Sequence, residues 1–95
     1  MSVVIVGGNE CMIRQYKELC ASHNHSAKVF CKMRDGMKNS IGNPDLLVLF
    51  TNTTSHKMVQ YALSEIKGSD TAVARSHSSS MSALRSILAD YAGGR

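Results

Sequence analysis

Tryptophan is absent from these 95 residues, and all aromatics together make up only 5% of them. A core must therefore rest on Val, Ile, Leu, Met and Ala. Cysteine is sparse: Cys11, Cys20 and Cys31 are an odd number and show no Cys-x-x-Cys spacing, which argues against a disulfide framework and a structural zinc site. That usage fits a reducing cytoplasm as the expected location. No basic, apolar leader with a small-residue cleavage motif opens the chain, because a strand-like run begins at Ser2. No apolar run approaches the ~20 residues of a membrane-spanning helix, so a membrane is not an expected partner. Lys and Arg never stand side by side, and no aromatic RNA-reading motif or recognition helix is evident. The net charge of +4 thus does not mark a nucleic-acid reader, although it suits a small anionic molecule.

Short apolar runs alternating with helical patterns are what the chain does contain. Ser2-Val-Val-Ile-Val6, closed by Gly7-Gly8, reads as a fully buried strand. Asn9 is a candidate N-cap for a helix over about 10–22, whose apolar positions are Ile13, Tyr16, Leu19 and Cys20. Ala27–Cys31 alternates as a second strand. Turn signals at Asp35-Gly36 and Asn43-Pro44 leave room only for a short, weak helix around 37–41. Leu46–Phe50 is the third strand. Met58, Val59, Ala62, Leu63 and Ile66 then form one helical face that stops at Gly68. Thr71–Ala74 is a short fourth strand, Arg75–Ser80 a polar loop, and Met81, Leu84, Ile87, Leu88 and Tyr91 mark a last helix.

This alternation predicts an α/β fold in one domain over residues 1–95. Its sheet has four parallel strands in the order 2-1-3-4 between helical layers, a three-layer Rossmann-like or flavodoxin-like half-fold. Parallel strands bring their C-terminal loops to one end of the sheet, where such folds bind ligands. That end collects Gly7-Gly8-Asn9, the loop from Lys32 to Gly36, Thr51-Asn-Thr-Thr-Ser-His56 and Arg75-Ser-His-Ser-Ser-Ser80. At 95 residues a single core is marginal, and a homodimer interface would help it.

The glycines of the first loop permit close approach of a ligand or of another backbone, but the dinucleotide spacing G-x-G-x-x-G fails, and Cys31-Lys32 replaces the acidic residue that would hold a ribose. The two hydroxyl-rich loops run into helix N-termini, whose free N–H groups favour anions, although a single Ser or Thr of each could serve only as a cap. The leading expectation is a non-enzymatic binding or sensing module that holds an anionic metabolite or nucleotide at this end of the sheet, with Gly7, Gly8, Asn9, Thr51, Asn52, Thr54, Ser55, His56, Arg75, His77, Ser78 and Ser79 as candidate ligand-binding residues. An alternative is a haem- or divalent-metal-binding sensor using His56 or His77. Cys11, near a helix N-terminus, permits a small enzyme with a reactive thiol. Paired carboxylates are lacking at this end, which disfavours hydrolysis of the general acid–base type. A pure interaction domain needs none of these residues. His23 and His25 fall at the opposite end, in a polar turn.

Val3-Val-Ile-Val-Gly-Gly8, Tyr16-Lys-Glu-Leu19, Thr51 with Ser55-His56, and Ser79-Ser-Met-Ser-Ala-Leu84 occur in this order across most of the chain. In them the sequence resembles the small bacterial family DUF2325, a domain of unknown function. The resemblance implies a Rossmann-like fold, no established enzymatic activity, and Ser55-His56 as a pair at the ligand end. Family members are richer in histidine and glycine after the second strand, where this chain reads Cys31-Lys-Met-Arg-Asp-Gly36 and offers no histidine for a metal or haem.

Overall fold

The middle strands of a parallel sheet are buried on both faces, and the two most apolar runs of the sequence take those places. β1 (Ser2–Gly7) and β3 (Leu46–Phe50) lie side by side, with β2 (Ser26–Phe30) outside β1 and β4 (Ala72–Ser76) outside β3. All pairings are parallel, and the order is the expected β2-β1-β3-β4. This computed structural model describes residues 2–31, 42, 44–68 and 70–93. The weak helix expected around 37–41 and the whole loop from Lys32 to Gly36 lie outside the described residues.

Helices cover both faces. A single 3-10 turn (Glu10–Met12) leads into α1 (Ile13–Ser22), which shares one face with α3 (Met81–Leu88). There Tyr16, Cys20, Leu84, Ile87 and Leu88 pack on Val3, Ile5, Leu46, Val48, Phe50 and Ala74. On the other face α2 (His56–Glu65) sets Met58 and Ala62, with Ile66 just beyond its end, against Val4, Val6, Leu47, Leu49 and Phe30. The strand order explains the split. The β1-to-β2 step runs one way across the sheet and the β3-to-β4 step the other, so right-handed crossovers put α1 and α2 on opposite sides. The chain's direction across the sheet therefore reverses between β1 and β3, the switch point where open sheets offer a crevice.

Several element boundaries differ from the sequence expectation, those of β4 and of the last helix among them. Arg75 and Ser76 belong to β4 rather than to the following loop, because β4 stays in register with β3 through Ser76, whose carbonyl accepts a 2.8 Å bond from Thr51 N–H. The last α-helix stops at Leu88 and continues as a wider π turn (Ala89–Gly93) instead of reaching Tyr91 as α-helix. The turn carries Tyr91 to the sheet, where its hydroxyl donates to the Val73 carbonyl at 3.5 Å.

Tyr16 is buried completely, and its hydroxyl joins two loops at the C-terminal end of the strands. It accepts from Asn9 N–H at 3.1 Å and donates to the Ser79 carbonyl at 2.6 Å. Removing that hydroxyl leaves a donor and an acceptor without their partner in a partly buried place. Tyr16→Phe should therefore lower the unfolding free energy by about 1–3 kcal/mol in urea denaturation, with the circular dichroism of the native state unchanged.

Candidate functional site

The Gly7-Gly8 turn, Thr51–His56 and Arg75–Ser80 lie at the C-terminal end of the parallel sheet, and the chain itself fills the middle of the crevice there. Gly7 and Gly8 both take positive φ, +93° and +94°. A Cβ on Gly7 would come within 2.9 Å of the Phe50 carbonyl and of Thr54 Cβ, and one on Gly8 within 2.9 Å of Tyr16 Cε2. Glycine is required here so that the β3–α2 loop and the Tyr16 ring can approach the β1 backbone. Gly8 N–H donates to Thr53 Oγ1 at 2.6 Å, and Cys11 N–H to the Asn9 side chain at 2.9 Å. These amides, the ones a phosphate would take at a first strand-to-helix turn, thus have partners within the chain.

The hydroxyl-rich loops divide in the same way between structural and open residues. Ser55 caps α2, accepting from Met58 N–H at 3.1 Å, and Ser80 caps α3, accepting from Ala83 N–H at 3.2 Å. Ser76 donates to the Ser78 carbonyl, and the Ser78 hydroxyl reaches Ser80 Oγ at 3.1 Å. Ser79 is held through its carbonyl by Tyr16. Thr54 directs its hydroxyl to the Met58 sulfur at 3.5 Å. Thr51, Asn52, His56, Arg75 and His77 remain exposed.

Four of these candidates come together. Thr51, Thr54, His56 and Arg75, with Val59, Gln60 and Leu63, line an open cleft of about 470 Å³ between α2 and the end of β4. Strand alternation explains why Arg75 is there: it lies on the same face of β4 as Val73, the α2 face. His56, Gln60 and Leu63 follow at intervals of four and three along α2 and so share one stripe of it. Gln60 Nε2 lies 2.9 Å from His56 Nε2. With the amide nitrogen donating, the imidazole carries its proton on Nδ1, which leaves an N–H for a further partner. Among the described residues the Arg75 guanidinium has no ion pair or hydrogen bond, since the described ion pair is Arg14–Glu18 on α1.

Gly7, Gly8, Asn9, Asn52, Ser55, His77, Ser78 and Ser79 do not line the cleft. In particular, it takes in His56 without His77, because the chain leaves β4 toward α3 on the opposite face. Among the described residues no three His, Cys, Asp or Glu side chains come together as a metal ion requires. Three of the lining residues escaped the sequence reading. Val59 and Leu63 stood as core positions of an amphipathic helix, and Gln60 carried no signal except its place four residues after His56.

Cys11 is exposed and lines a different surface, a shallow depression along the outer side of α1 with Ile13, Arg14 and Lys17. Cys20 is buried, and burial pushes its thiol up. Cys31 is half-buried and directs its thiol to the Gly7 carbonyl at 3.6 Å. At the far end of the sheet His23 and His25 stack with ring centroids 6.4 Å apart; burial, and then the positive charges of the N-terminus and His23, push His25 down.

Alkylation should follow this exposure. Iodoacetamide in native buffer should modify Cys11 first by mass spectrometry, while Cys20 should react only when denaturant opens the domain. Labelling of Cys20 at the rate of Cys11 would contradict the packing of α1.

No helix among the described residues is long and apolar enough to cross a membrane. No curated protein and no solved structure matches the chain. A family model does match, over residues 2–91, and the chain belongs to that family, DUF2325, described as an uncharacterized protein conserved in bacteria.

Proposed function

We propose that this chain is a non-enzymatic binding or sensing module that holds a small anionic molecule in the cleft between α2 and β4. The observation that carries the reading is Arg75. It is a cation without a partner among the described residues, and it shares an open cleft with an imidazole and two threonines at the end of the sheet where parallel α/β folds bind ligands. A guanidinium in such a place matches a carboxylate or phosphate with two parallel hydrogen bonds. His56 adds the Nδ1–H left by its contact with Gln60, and a bound anion would compete with the Ser76 carbonyl for the Thr51 hydroxyl, which donates to that carbonyl at 3.4 Å. Catalysis has less support, because the exposed thiol of Cys11 lines another surface and no carboxylate lines the cleft.

In this reading Arg75 and His56 recognise the ligand, and Ser55, by capping α2, holds the helix start that carries His56. The setting is cytoplasmic and the partner a small molecule rather than nucleic acid or a membrane. The module works as a homodimer, for which β2 and β4 are the outer strands of the sheet among the described residues. Sedimentation equilibrium should give twice the chain mass, and a single-chain mass at high micromolar protein would remove the dimer from the proposal.

Thermal denaturation against a panel of carboxylates, phosphates and nucleotides tests the binding. A ligand at ten times its Kd stabilises the folded state by about 1.4 kcal/mol, which in a domain of this size raises Tm by roughly 6–11 °C. Arg75→Ala should abolish the shift while changing the ligand-free stability by no more than about 0.5 kcal/mol, as for other exposed sites. A complete panel without a shift, or a shift that survives Arg75→Ala, would overturn the reading.

A further inference from the structure

The lining of the cleft is uneven, and the unevenness points to the shape of the occupant. One end is polar, with Arg75, Thr51 and His56; the floor is apolar, with Val59 and Leu63. Both apolar residues are half-buried, resting on the core beneath α2 while leaving part of their surface in the cleft. They are one helical turn apart, so their side chains cover a strip about 6 Å long, the width of a single six-membered ring. Arg75 is the one Lys or Arg side chain among the residues that line the cleft. A single guanidinium balances a head of one or two negative charges and leaves a polyphosphate largely unpaired.

Among the described residues the neighbouring crevice offers no second head site. The amides at Gly8, Asn9, Cys11 and Met12 are all engaged, by Thr53 Oγ1, Tyr16 Oη, Asn9 Oδ1 and the Asn9 carbonyl. The space above Gly7 and Gly8 holds Thr54, Phe50 and Tyr16. A pyrophosphate bridging from the cleft to the β1–α1 turn would find neither free donors nor room.

Resting on the anion reading above, we propose that the ligand is a single-headed anion with one ring-sized apolar body, an aryl phosphate or aryl carboxylate. Its head lies at Arg75 and its ring on Val59 and Leu63. Dinucleotides and polyphosphates are excluded by the filled Gly7-Gly8 turn.

The test is an NMR titration of the isotopically labelled full chain. Phenyl phosphate and benzoate are each compared with a counterpart that has the same head but a methyl group for its body, methyl phosphate and acetate, and pyrophosphate is titrated alongside. At least one aryl compound should bind about tenfold more tightly than its methyl counterpart, the gain from covering roughly half a ring, and should shift the signals of Arg75, His56 and Leu63. Leu63→Asn should reduce that preference to threefold or less without changing the affinity for the methyl compound. Equal affinity for aryl and methyl compounds, or tighter binding of pyrophosphate than of either aryl compound, would overturn the single-ring inference and leave the anion reading standing. The comparison on the unaltered chain decides this even if Leu63→Asn does not fold. If none of the five compounds shifts Arg75 or His56, the anion reading falls, and this inference with it.

Discussion

A buried phenol hydroxyl holds together the end of the sheet on which the candidate site depends. Tyr16 projects from α1 into the core, stacks at a tilt against Phe50 at the end of β3, and uses its hydroxyl to bond the backbone of both the β1–α1 turn and the β4–α3 loop. Burying such a group is favourable only when its polar tip is satisfied, and here the tip is satisfied by two loops far apart in sequence. The loops are therefore positioned by the core and not only by their own turn chemistry. The same ring presses on Gly8, so the close approach that glycine allows is taken up by the chain.

From this packing follows the location of the cleft. Open parallel sheets offer their crevice where the strand order reverses, here between β1 and β3. Thr53 and Thr54 close that crevice from above and Tyr16 from one side. What stays open is the neighbouring gap between β3 and β4 on the α2 face. Its composition differs from that of a nucleotide cradle: one guanidinium, one imidazole and an aliphatic floor, in place of a row of glycine amides. Most of the serines that invite a phosphate-binding reading have structural work: Ser55 and Ser80 satisfy helix starts, Ser76 at the end of β4 donates to the Ser78 carbonyl, and the Ser78 hydroxyl to Ser80.

Two hydroxyl-rich loops of similar sequence thus have different fates, for a topological reason. The loop after β3 turns onto the α2 face and the loop after β4 onto the opposite one. His56 and His77 are close in the linear pattern of strand, polar loop and helix, yet they leave the sheet toward different sides. A pairwise role for them requires the chain to return across the sheet, which a right-handed crossover does not do.

The sequence by itself determined the architecture. Five apolar residues at Leu46–Phe50 and the run ending at Val6 can be buried only as inner strands, and the 3.6-residue spacing of Met58, Ala62 and Ile66 and of Leu84, Ile87 and Leu88 specifies which helix faces meet them. Periodicity is a local property and needs no knowledge of neighbours. It also brought the right end of the sheet into view, since every strand of a parallel sheet points the same way. The tertiary structure alone decided which residues at that end are open. Whether Thr53 fills the Gly8 turn or faces solvent, whether Tyr16 is merely apolar bulk or a bridge, and whether Arg75 ends a strand on the α2 face all depend on contacts across tens of residues. Such contacts leave no periodic trace in the sequence, because one tyrosine or one arginine in the right register is enough to make them.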